Sequence, residues 1–154
     1  MARIRQSRKA LRRAGALEEA AFLDLLRTAD LLSRRLVPVL KESALSPAQY
    51  NVLRILRGAP EGLPCGEIAS RMITRDPDIT RLLDRLEKRA LIARNREARD
   101  RRTVLTRITG KGLGLLARLD KPILGAHRKL LGHLGPAQLG VLTQLLRQAR
   151  TACN

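Results

Sequence analysis

The chain has 154 residues, 44% of them hydrophobic, which is enough for one buried core, and with Phe22 and Tyr50 as its aromatics that core must be aliphatic. A formal net charge of +17 makes a polyanion the default partner, nucleic acid ahead of an anionic membrane surface. Scarce aromatics argue against single-strand recognition by base stacking, Cys65 and Cys153 are too few for a disulfide scaffold, and no run has the apolar length of a signal peptide or membrane span, so a cytoplasmic protein is expected.

Residues 1–15 read as a basic, mobile arm, on the general mobility of termini. Leu17 to Ser43 reads as a long helix, with Phe22, Leu25, Leu26, Ala29, Leu32, Leu36 and Leu40 at helical spacing. Pro38 is expected to kink it or split off its last turn. Ser46-Pro47-Ala48-Gln49 is a helix start: Ser46 caps, Pro47 suits the first helical position, and Gln49 completes a capping box. Val52, Leu53 and Leu56 form the buried stripe, and Gly58 and Pro60 end the helix. Glu67 to Met72 reads as a short helix.

Asp76-Pro77 reads as a second cap followed by proline, opening a helix from Pro77 to about Arg89. Ile79, Leu82, Leu83 and Leu86 face inward, and Thr80, Arg81, Asp84, Arg85 and Lys88 face outward. Two short strands, Leu91 to Arg96 and Thr103 to Thr109, are expected next, joined by residues 97–102. Thr109 caps a last helical region of two segments, Lys111 to about Leu134, interrupted at Pro122, and Pro136 to about Arg150. The second carries a seam of Leu139, Leu142, Leu146 and Ala149.

From Ser46 to Thr109 the order is helix, short helix, turn, helix, basic hairpin. A short helix, a tight turn and a second helix make a helix-turn-helix. The second helix fits a major groove about 12 Å wide. Taken alone, Pro77 to Arg89 also reads as a salt-bridged surface helix. The hairpin beside it decides between the two, because Arg99, Arg101 and Arg102 repel one another in free protein but suit the negative potential of a narrow minor groove. Asp100 reads as a turn residue, or as the partner of an arginine. His127 and His133 lie six apart and cannot share a helix face, so surface histidines are expected rather than ligands. Cys65 reads as a small core residue, with a redox switch as the alternative. No catalytic or metal constellation, and no cofactor, is expected.

These residues carry a resemblance. "LSPAQYNVLRIL" and "MITRDPDITRLLDRLEKRALIARNREARDRRTVLTRITGKG", with their flanking helices, resemble the multiple-antibiotic-resistance regulator (MarR) family of winged helix-turn-helix repressors, from about Leu17 to Arg150. The resemblance implies a mainly α fold with a small β-wing (α+β). It divides the chain into residues 16–45 and 110–152 as dimerisation helices and 46–109 as the winged core. It implies recognition-helix contacts at Thr80, Arg81 and Arg85, and a wing in which Asp100 and Arg102 shape the tip, with Arg99 and Arg101 beside them. Asp78 departs from the pattern, being acidic where many relatives carry Ser, Thr or Arg. It can accept a hydrogen bond from cytosine, or only favour the helix dipole.

The resemblance also implies a homodimer interlocked by its terminal helices, with Leu17, Leu139, Leu142 and Leu146 at the interface. Exposed leucine-rich seams of this length seldom stay unpaired. The implied partner is double-stranded DNA with an inverted-repeat operator, in a bacterial or archaeal, nucleoid-associated setting. A small aromatic or phenolic effector is commonly bound in this family. The competing reading is a non-specific packaging protein, for which the charge alone suffices. The family's thiol-sensing members place their reactive cysteine in the first helix, where this chain has none.

Overall fold

The computed structural model describes residues 2–74, 76–96 and 103–152, with side chains from residue 15 onward. It is mainly helical with one small sheet, and it divides into two units, Met1–Arg35 and Leu36–Asn154.

Helix α1 spans Ala2–Lys41. The residues read as an arm therefore continue the helical backbone, through a stretch rich in Arg and Ala, which are good helix formers. Pro38 does not split off the last turn: it lies inside the helix. A proline removes one backbone donor, and here the following turn is held by burial, since Leu40 is buried and Leu36 and Val39 pack against the core. In the first unit Leu17, Phe22, Leu25, Leu26 and Leu31 are exposed, Leu17 to 72% and Phe22 to 61%.

Helix α2 spans Pro47–Arg57 and opens on the expected capping box. The Gln49 backbone N–H donates to Ser46 Oγ at 3.2 Å, and the Ser46 N–H donates to Gln49 Oε1 at 3.0 Å. Val52, Leu53 and Leu56 are fully buried. The two-residue strand β1 (Leu63–Pro64) follows, then α3 (Cys65–Arg71), which starts two residues earlier than the sequence suggests.

Helix α4 spans Ile79–Lys88, and its N-cap is Asp78 rather than Asp76. Asp78 Oδ1 accepts from the Arg81 N–H at 3.2 Å. Asp76 Oδ1 accepts from the Asp78 N–H at 2.9 Å, so the first carboxylate closes a turn and the second caps the helix. Either aspartate can cap; placing Asp78 in that role lets the helix begin at Ile79, the first residue of the stripe that packs inward.

Strands β2 (Ile92–Arg96) and β3 (Val104–Ile108) form an antiparallel ribbon whose register runs from Ile92↔Ile108 to Arg96↔Val104. β1 adds to the other side of β3, giving the order β1-β3-β2. The sequence does not announce β1, because two residues carry no periodicity. Gly62 precedes it at φ +87°, and a Cβ there would lie 2.7 Å from Arg107 Cγ, so a side chain has neither the conformation nor the room.

Helix α5 spans Gly110–Leu131, capped as expected by Thr109, whose Oγ1 accepts from the Gly112 N–H at 3.1 Å. Pro122 does not interrupt it. Leu115, Leu116, Leu119 and Ile123 are buried on both sides of the proline, and their packing outweighs one missing donor. Gly112 permits a close approach, since a Cβ there would stand 2.3 Å from the Leu91 carbonyl. A single 3-10 turn (Gly132–Leu134) leads into α6 (Gly135–Thr151).

The core joins Leu40 and Leu45 to the apolar faces of α2 to α5. Two helix ends are built alike. Ala44 (φ 50°) and Ala90 (φ 56°) take the left-handed conformation, and the N–H groups of Leu45 and Leu91 donate back to Leu40 and Leu86. Leu45 and Leu91 are themselves buried, which holds alanines where glycine is the usual choice. Arg89 joins the two ends, its guanidinium donating to the Ala44 and Ser43 carbonyls.

Candidate nucleic-acid interface

Leu82, Leu83 and Leu86 bury one side of α4, while Thr80, Arg81 and Arg85 on the other are exposed. Asp78 is exposed at the start of this face. Beyond capping, its Oδ2 lies 3.6 Å from Arg81 Nε. An exposed pair of this kind contributes little stability, but it biases where Arg81 points. Asp78 therefore acts on Arg81 through the i, i+3 spacing of one helical turn.

The turn ahead of α4 is anchored to α2: the Ile73 N–H donates to Asn51 Oδ1 at 2.8 Å. Behind α4, the Thr109 hydroxyl donates to the Ala90 carbonyl at 2.8 Å and Lys111 Nζ to the Arg89 carbonyl at 2.9 Å. The helix is thus fixed at both ends to neighbouring elements. A guanidinium nitrogen of Arg57 also bridges both oxygens of Asp120 at 2.9 Å, linking α2 to α5.

The flank of α4 nearest the ribbon carries Asp84 and Glu87. Sequence spacing suggests salt bridges within the helix through Asp84; the structure instead sends Asp84 and Glu87 to Arg94 on β2. Arg94 Nη2 donates to Asp84 Oδ1 at 2.6 Å and Arg94 Nε to Glu87 Oε2 at 2.9 Å. These hydrogen bonds hold the Glu87 carboxyl below its usual value, the Arg94 side chain being the largest cause, and they raise Arg94 further. Arg94 escapes a reading of local pattern because it lies on another element from both partners.

Of the expected wing residues, Arg99, Asp100, Arg101 and Arg102 lie outside the described residues. The ribbon that leads to them is described as far as the Arg96↔Val104 pair. At the other expected surface, Leu139, Leu142 and Leu146 are half-buried, and Val141 and Leu145 beside them are 58% and 57% exposed. Leu17 is exposed in the first unit. Cys65 is half-buried against the core, and His127 and His133 are exposed. Among the described residues no cluster of His, Cys, Asp or Glu can hold a metal ion. No described helix is long and apolar enough to cross a membrane.

The MarR family model matches residues 45–104, from the approach to α2 to the first residue of β3. A MarR transcription factor from Planctomyces limnophilus is 38% identical, over 84% of this chain and 95% of that one, with a TM-score of 0.65. The chain belongs to the MarR family. The homoprotocatechuate degradative operon repressor of Escherichia coli is 24% identical over 132 residues, 86% of this chain and 88% of that protein. The PcaV transcriptional regulator from Streptomyces coelicolor, in complex with its natural ligand, is 27% identical over 84% of this chain and 91% of that one, with a TM-score of 0.72. The MarR assignment makes this chain a transcriptional regulator, and α3 with α4 is its helix-turn-helix, followed by the β2–β3 wing.

Proposed function

We propose that the protein is a homodimeric repressor that binds an inverted-repeat operator in double-stranded DNA and releases it in response to a small aromatic or phenolic effector. The two-sided character of α4 carries the DNA part: three leucines fix it to the core while Thr80, Arg81 and Arg85 stand exposed. Such a helix suits the major groove, and Arg99, Arg101 and Arg102 suit the minor groove beside it. Asp100 is assigned to hold a wing arginine. The dimer follows from the apolar residues left exposed on α1 and α6, and it presents two α4 helices to two half-sites. PcaV with its ligand supports an effector, and the Escherichia coli relative supports a repressor. A net charge of +17 favours the second reading, a non-specific packaging protein.

Selection of bound duplexes from a random pool separates these readings. The expected product is a symmetric motif with half-sites about one helical turn apart. Affinity for it falls with salt at a log–log slope of about −0.9 per phosphate neutralised. Recovery of no motif, with random duplex bound as well as any selected one, would establish packaging instead.

Oxidation is not the proposed switch, since α1 contains no cysteine and Cys65 packs against the core. Peroxide treatment is expected to release little or no DNA from wild type, and Cys65→Ser is expected to behave identically. A large release that vanishes in the variant would reverse this.

A further inference from the structure

Among the described residues β2 is an edge strand, so one row of its backbone groups has no partner strand there. At Arg94 that row is closed by α4: the Arg94 N–H donates to Glu87 Oε1 at 3.2 Å while its guanidinium engages Glu87 Oε2 and Asp84 Oδ1. A single glutamate thus holds the main chain and the side chain of the same strand residue, and an aspartate one turn earlier shares the guanidinium. Only 26% of the Arg94 side chain is exposed, less than either acid partner. A planar fork spread over two carboxylates fixes orientation as well as distance, which an ammonium cannot do.

We propose that Arg94 is a positioning residue for DNA recognition, locking the angle between α4 and the β2–β3 ribbon so that helix and wing meet adjacent grooves together. The proposal rests on the reading of α4 and the hairpin as the DNA-binding surfaces. Arg94 has a second effect on the same surface. It offsets two carboxylates on the flank of α4 that would otherwise oppose phosphates near Arg81 and Arg85.

If Arg94 acts through the wing, a wing contact loses its value once Arg94 is gone. The test is a double-mutant cycle between Arg94→Ala and Arg102→Ala, reading affinity for the selected duplex and, in parallel, thermal stability. Arg94→Ala alone should weaken binding on the order of tenfold, as loss of charge-assisted bonds does. Arg102→Ala should then cost far less in the Arg94→Ala background than in wild type, while the two changes add independently in stability. Arg94→Lys should recover only part of the affinity although it restores the charge, and it replaces Arg94→Ala in the cycle should that variant not fold. Fold losses that multiply overturn the proposal and leave the wing intact. No loss from Arg102→Ala in wild type overturns both the wing and the proposal.

Discussion

Replacing Leu142 and Leu146 by glutamate is expected to give a monomer that no longer holds its operator. Both leucines are half-buried on α6, one helical turn apart and in line with Leu139, and Val141 and Leu145 beside them are exposed. The described residues bury no side chain of α6. A 17-residue helix with this many aliphatic groups and none fully buried is expected to be half of an interface. Leu17, Phe22, Leu25, Leu26 and Leu31 on α1 make the same argument independently. Two glutamates set against each other across a two-fold axis repel and desolvate, so the interface does not form. Binding fails with it, because the second half-site is engaged intramolecularly only in a dimer, a gain of roughly 10²–10⁴. Sedimentation and operator titration of the same preparation check both losses. A wild type that sediments as a monomer at micromolar concentration contradicts the account.

The second large effect divides the helix from the wing. Arg81→Ala is expected to relax preference at particular base pairs of each half-site, since a good bidentate contact discriminates by about 1–3 kcal/mol. Arg81 is exposed on α4 and its direction is biased by Asp78, so Asp78→Ala should blur the same base pairs more weakly. Arg102→Ala should weaken binding evenly across operator variants, flatten the salt slope, and reduce preference for A·T pairs at the flanks. Asp100→Ala should be a milder form of Arg102→Ala. Affinities across single-base variants at two salt concentrations separate these patterns. Identical profiles for Arg81→Ala and Arg102→Ala would mean that helix and hairpin have no separate roles.

Local chemistry was legible in the sequence. The Ser46–Gln49 box, the Thr109 cap and the Leu82, Leu83, Leu86 stripe depend on neighbours within a turn or two, and each stands where its spacing places it. Features decided by distant parts of the chain were not legible. Pro122 reads as an interruption and Pro38 as a kink or a split, but burial around them keeps both helices continuous. Asp76 reads as the cap of α4, but the cap is Asp78, directly ahead of the packed stripe. Strand β1 exists only because β3 lies beside it. Asp84 reads as a partner for charges on its own helix, whereas the ribbon brings Arg94 to it and to Glu87.

Two α4 helices of one dimer are proposed to sit in successive major grooves. Methylation protection on the selected duplex tests it, because the reagent reaches guanine N7 in the major groove and adenine N3 in the minor. The expected pattern is two symmetric clusters of protected guanines about one helical turn apart, flanked by protected adenines. Arg81→Ala should lose guanine protection and keep the adenines. Weak protection spread evenly along the duplex, unchanged by Arg81→Ala, would contradict the claim.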